Sequence, residues 1–207
     1  MSSWLIAGII LIVILIIYYL MNNNNDIARM YSPVDNYSYS VNENYSDKVY
    51  AANLLAELHR RSAALLKYMK HKYVTDGVHG PHDYMVIKLL ESYNPDNILE
   101  IVPDLDSKDT SYTKNKKVMH ICLRSKDNQR RLLDINTLFF VYLHEMAHMG
   151  SKSYGHEPIE FWINFKILLK NAVEVGLYNP VNYRNNPQLY CGLTITHNPL
   201  FDDTIPA

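Results

Sequence analysis

Apolar residues recur at helical spacing over much of the chain. From Val49 to about Tyr73, Leu54, Leu55, Leu58, Leu65, Leu66, Met69 and Tyr73 line one side, with His59, Arg60, Arg61 and Lys67 mostly opposite, which predicts an amphipathic helix packed on a core. DGVHGPHD, Asp76 to Asp83, breaks the chain, and Tyr84 to Tyr93 resumes a short helix before the Asn94-Pro95 stop. Lys117 to Arg124, KVMHICLR, is an apolar run bounded by charge and reads as a strand. A third helix follows, with Asp134 or Asn136 as its N-cap, a nearly continuous apolar run from Leu138 to Leu143, and an end near Met149. A fourth spans about Glu157 to Val175, with Pro158 in its first turn and Gly176 at its stop. Beyond Tyr178 the Asn-Pro steps and tyrosines predict an ordered irregular segment lying over the domain.

The N-terminal part differs. Trp4 to Met21, WLIAGIILIVILIIYYLM, carries no charge and is long enough to cross a bilayer as a helix, with Trp4 and Tyr18–Tyr19 at the interfaces. No basic region precedes it and no small-residue cleavage site follows, so the expectation is an uncleaved single-pass anchor rather than a signal peptide. Arg29, downstream, weakly favours a cytoplasmic C-terminal domain. The next stretch, to Asp47, is rich in Asn, Tyr and Ser without apolar periodicity and reads as a flexible tether. The expected organisation is an anchor over 1–21, a polar linker over 22–47 and one domain over 48–207.

Composition changes this picture little. With 207 residues, 48 % hydrophobic and a formal charge of −1, the chain suits one globular domain with an appendage, and charge does not indicate a nucleic-acid partner. Cys122 and Cys191 are far apart in sequence, and the simple reading is two buried thiols in a reducing compartment.

The distinctive chemistry is HEMAH, His144 to His148. On a helix, residues four apart share a face, so both imidazoles can grip one metal ion, with Glu145 beside them as general base. Hydrolytic zinc needs three protein ligands and an open position for water. His156 is the best third candidate, because Gly150 offers a helix stop and Gly155 a reversal just before it. The neighbouring apolar run implies a buried helix, and unpaired polar groups on such a helix are costly unless a metal satisfies them. Tyr183 and Tyr190 are candidate oxyanion stabilisers. His79 and His82 lie in a Gly/Pro loop without a carboxylate at a defined spacing and read as loop residues; Phe161 and Trp162, at helical spacing, read as core.

HEMAHM, then GHEPIEFW and a later YCG, resemble the active site of WLM-type metallopeptidases, zincins related to SprT-like proteases, and in particular the WLM-like proteins of large DNA viruses. The resemblance covers roughly Lys117 to Cys191. It implies an α+β zincin fold, mostly helical with a small sheet, Zn2+ held by His144, His148 and His156, and Glu145 as general base. It also implies that KVMHICLR is the edge strand that pairs with an extended peptide, the physical counterpart being β-augmentation. The metzincin pattern fails, since it requires Gly at Ser151 and His at Tyr154; Glu157 and Glu160 therefore stand as fallback ligands.

The resulting expectation is a membrane-anchored zinc metallopeptidase acting on protein or peptide. Its rivals are a non-catalytic membrane-anchored zinc-binding or docking module, against which Glu145 argues, and a zinc hydrolase of non-protein substrates, against which the strand argues.

Overall fold

The computed structural model describes residues 8–15, 26–75 and 82–206. These form an α+β arrangement in which a five-stranded mixed sheet, in the order β1-β2-β3-β5-β4, is backed by helices. The sheet is larger than expected because two of its strands come from the presumed tether. β1 (Ile27–Ser32) and β2 (Tyr37–Asn42) pair antiparallel, in register from Ile27↔Asn42 to Ser32↔Tyr37. The flexible-linker expectation is therefore corrected over these residues; 22–25 lie outside the described residues. The physical reason is a period of two: in YSYSVN, Tyr39 and Val41 are completely buried while the serines face the other way.

Among the described residues no helix is long and apolar enough to cross a membrane. This overturns the expected transmembrane helix and single-pass membrane location. Within the apolar stretch 4–21, the described part is a helix at 8–15. Eight residues reach about 12 Å, against a hydrocarbon core of about 30 Å. The remainder of that stretch lies outside the described residues.

β2 and β3 (Ile98–Ile101) are parallel, so the chain must cross over between them, and it does so through α1 (Lys48–Lys70), a π-helical turn at His71–Thr75, and α2 (Asp83–Ser92). α1 buries Leu55, Leu58, Leu65, Leu66 and Met69 of the predicted stripe, together with Ala51 and Ala52, while Leu54 and Tyr73 are only partly buried, and it packs on β1, β2 and β3. β4 (Tyr112–Lys114) and β5 (Val118–Cys122) form a hairpin whose turn places Asn115 and Lys116 at φ 52° and 54°. Two successive positive φ values give a turn that matches strand twist.

β5 is not an edge strand. It runs parallel to β3 on one side and antiparallel to β4 on the other. Its apolar run suits a strand covered by neighbours, whereas the edge is the short, polar Tyr-Thr-Lys of β4.

α3 (Ile135–Gly150) opens on Asp134, whose side chain accepts a 2.9 Å bond from the Thr137 amide. Its apolar residues Leu138, Phe139, Tyr142, Leu143 and Met146 are fully buried. The Tyr142 hydroxyl lies 3.0 Å from that of Tyr93, which in turn lies 2.9 Å from His59 Nδ1 on α1. Gly150 is still helical, and Ser151 is the C-cap. Its role is therefore close approach rather than a left-handed stop: a Cβ there would stand 2.6 Å from Met85 Cγ of α2. α4 (Ile159–Glu174) packs on α3, with Phe165 5.0 Å from Phe140 between ring centroids.

Just beyond β5, Arg124 is 1 % exposed and forms 2.7 Å ion pairs with Glu100 of β3 and with Asp47 before α1. Burial lifts the Glu100 carboxyl above its usual range, against the pull of the Asn42 amide and Arg124.

β6 (Gln188–Tyr190) and β7 (Leu193–Ile195) form a second hairpin through Cys191 and Gly192, both at positive φ. Cys191 is joined by a disulfide to Cys122 of β5, which corrects the expectation of two free thiols. Pairing depends on tertiary folding bringing the two Cα atoms to 6.2 Å, and nothing local signals it. Cross-linking positions 69 apart contributes about 4 kcal/mol of chain entropy. Reduction, or replacement of both cysteines by alanine, is expected to lower stability by about that amount, seen as a lower urea midpoint; an unchanged midpoint would contradict it.

Candidate metal centre

α3 brings His144 and His148 to one face, and the chain reverses at Gly155, at φ 79°, to return His156 to them. His156 Nε2 lies 2.9 Å from His144 Nε2 and 3.0 Å from His148 Nε2. Burial pushes the His144 imidazole down to about 3 and His148 to about 4, with repulsion between the rings adding to both, and burial lowers His156 too. All three rings are therefore neutral at pH 7. A neutral ring presents either a proton or a lone pair at Nε2, so protons shared among three such atoms pair them incompletely. One cation satisfies all three lone pairs. Tetrahedral zinc with nitrogens at 2.0–2.1 Å sets them about 3.3 Å apart, a few tenths of an ångström wider than the observed contacts. The donor set fits zinc.

Glu145 is 3 % exposed, and burial raises its carboxyl to about 7. The Thr113 hydroxyl, on edge strand β4, donates to Glu145 Oε2 at 2.7 Å and opposes that rise. Phe161 packs against all three imidazoles, stacked on His148 at 4.4 Å and edge-on to His144 and His156 at 4.9 and 4.8 Å. Trp162 Nε1 donates to the His156 carbonyl at 2.8 Å. Trp162 thus belongs to the site rather than to the core alone.

The loop from α3 to His156 is held from two sides. Lys116 Nζ, at the tip of the β4–β5 hairpin, donates to the carbonyls of Ser151, Lys152 and Ser153. Glu160 accepts from the Lys152 amide and the Ser153 hydroxyl, both at 3.1 Å. Glu160 is thereby committed to the loop, and neither it nor exposed Glu157 joins the histidine cluster.

A cavity of about 530 Å³ opens over the histidines. Tyr190 lines it, but its hydroxyl bonds the Cys122 carbonyl at 2.9 Å and the Ser111 hydroxyl. Tyr183 is buried against Phe140 and does not line the cavity, so neither tyrosine presents a free hydroxyl to the centre. His197, paired with Asp202 at 3.0 Å, does line the cavity. His120 is a strand residue stacked on Tyr112, and His82 packs edge-on to Tyr73. His79 lies outside the described residues.

The chain is 30 % identical over 174 residues to the uncharacterized protein R325 of Acanthamoeba polyphaga mimivirus, an alignment covering 82 % of each chain. It belongs to the family of that mimivirus protein. It also matches uncharacterized protein 042R of Invertebrate iridescent virus 3, at 40 % identity over 49 % of this chain and 62 % of the relative. A third relative, uncharacterized protein 136R of Invertebrate iridescent virus 6, is 36 % identical over 44 % of this chain and 51 % of its own length. The match thus spans about half to three-fifths of the two iridescent-virus proteins. No family model matches the chain, and no solved structure does.

Sequence reasoning missed Lys116, Thr113 and His197, which are remote from HEMAH in the chain; the residues at 115–116 carry only an ordinary turn signal. Lys116→Met removes the cation from three carbonyls and is expected to weaken zinc binding about 10- to 100-fold, measured by competition with a chromophoric chelator. Unchanged affinity would show that the loop holds His156 without it.

Proposed function

We propose that the chain is a zinc-dependent metallopeptidase of the WLM type. The observation that carries the reading is the convergence of three neutral imidazoles, with His156 Nε2 about 3 Å from those of both His144 and His148 and all three ligand atoms within 4.8 Å of one another, beside a buried carboxylate. His144, His148 and His156 would hold the ion. Zinc so bound supplies Lewis acidity, which lowers the pKa of water and polarises a carbonyl oxygen.

The chain's own groups account for the proton traffic. Thr113 occupies Oε2 of Glu145, so Oε1 is the atom that takes the proton from the attacking water. Burial raises the basicity of that carboxylate, and the same oxygen then delivers the proton to the departing amine nitrogen. Edge strand β4 contributes Tyr112 and Thr113 to the cavity wall and has no strand beyond it among the described residues, so its backbone is placed to pair with an extended peptide. A purely structural zinc site does not need Glu145, which favours the enzyme over a binding module.

Elemental analysis of the purified chain should find about one zinc per molecule, with severe loss in His156→Ala. Absence of zinc from the folded parent overturns the reading. Glu145→Gln is expected to keep the zinc and lose peptide hydrolysis by at least about 100-fold in kcat; cleavage at the parental rate would remove Glu145 from its role as base.

A further inference from the structure

The cavity continues past the histidines along α3. Val141 stands one turn before His144 and Glu145, and the same cavity is lined by the apolar side chains of Phe140, Phe165, Leu193 and Ile195 and by the Tyr190 ring, with Ser111, Thr194 and Thr196 among its polar members. Leu193 remains 51 % exposed and Ile195 is half-buried, so β7 presents apolar surface to the cavity without filling it. The charged side chains along the lining, apart from the histidines, are Glu145 and Lys116, and both are committed: Glu145 to Thr113, Lys116 to three loop carbonyls. No other Asp, Glu, Lys or Arg lines the cavity, and burying an unpaired charge against its apolar wall is costly. Val141 lies about 5.4 Å, one helical turn, along α3 from Glu145, the proposed proton-transferring group. An extended peptide advances about 3.3 Å per residue, so the side chain next to the scissile bond reaches it.

From this we infer that the substrate carries a large apolar or aromatic residue beside the cleaved bond, and that Val141, Leu193 and Ile195 select it. The inference rests on the peptidase reading and adds the substrate class. β7 is a credible selecting wall because it is fastened: the disulfide ties Cys191 to β5, and Tyr190 bonds the Cys122 carbonyl.

The test has a binding arm and a cleavage arm, both on the full chain. The metal-free protein is titrated with N-acetyl-phenylalanine amide and N-acetyl-aspartic acid amide and followed by saturation-transfer NMR. The zinc-loaded protein is given peptides differing only at the position flanking the bond. At least tenfold tighter binding of the phenylalanine amide is expected, with kcat/KM higher by about 10- to 200-fold for Phe or Leu than for Asp or Lys. Leu193→Lys, at an exposed position that tolerates charge, should reduce both preferences at least tenfold with zinc content unchanged; Ile195→Ala should weaken phenylalanine-amide binding several-fold. Equal binding of the two amides, or cleavage without preference, overturns the inference, and the second result leaves the peptidase reading standing. Preferential binding lost in Leu193→Lys, with no peptide cleaved, upholds the apolar pocket and overturns the peptidase reading instead.

Discussion

Desolvation of a polar face on a core helix governs this molecule. α3 is apolar over most of its circumference and sits among α1, α2 and α4, yet it carries His144, Glu145 and His148 where the same packing removes water. Burial of this kind disfavours charge on every titratable group, so it lowers the pKa of the imidazoles and raises that of the carboxyl. Neutral imidazoles are metal ligands, and a carboxyl near 7 is matched to proton transfer at neutral pH. One physical cause thus prepares both halves of the proposed chemistry.

The remaining elements keep that face in position. Phe161 wedges the three rings from behind, Trp162 holds the His156 carbonyl, and Lys116 and Glu160 grip the loop between the helix and the third histidine. The β4–β5 hairpin does two things at once: its edge strand supplies Thr113 to Glu145 and its tip supplies Lys116 to the loop. On the opposite wall the Cys122–Cys191 bond fixes a small hairpin that would otherwise depend on few contacts. Just beyond β5, the Arg124 guanidinium links β3 to the start of α1, and an ion pair this buried is costly to break because losing either partner leaves a stranded charge.

Much of this was legible in the chain, unevenly. The helical stripes of α1, α3 and α4 and the strand at β5 follow from periodicity, and the Asp134 cap from side-chain chemistry. Residues 27–42 read as tether because they are rich in Asn, Tyr and Ser, and their buried strand face is made of tyrosine and valine rather than leucine. The resemblance makes β5 an edge, and its own residues do not tell which strands flank it. Trp162 was assigned to the core because helical spacing says which way a residue points and not what stands there.

By itself, the sequence determined that His144 and His148 share a face, since four residues on a helix bring two imidazoles together whatever surrounds them. It also determined the apolar stripes that bury that helix. His156 was the sequence's first candidate beside the two histidines, but only tertiary structure decided that it and not Glu160 stands with His144 and His148, that Lys116 and Thr113 contact the loop and Glu145, and that two distant cysteines meet. Those contacts join residues far apart in the chain, and their partners are chosen by packing and strand order, which local periodicity does not encode.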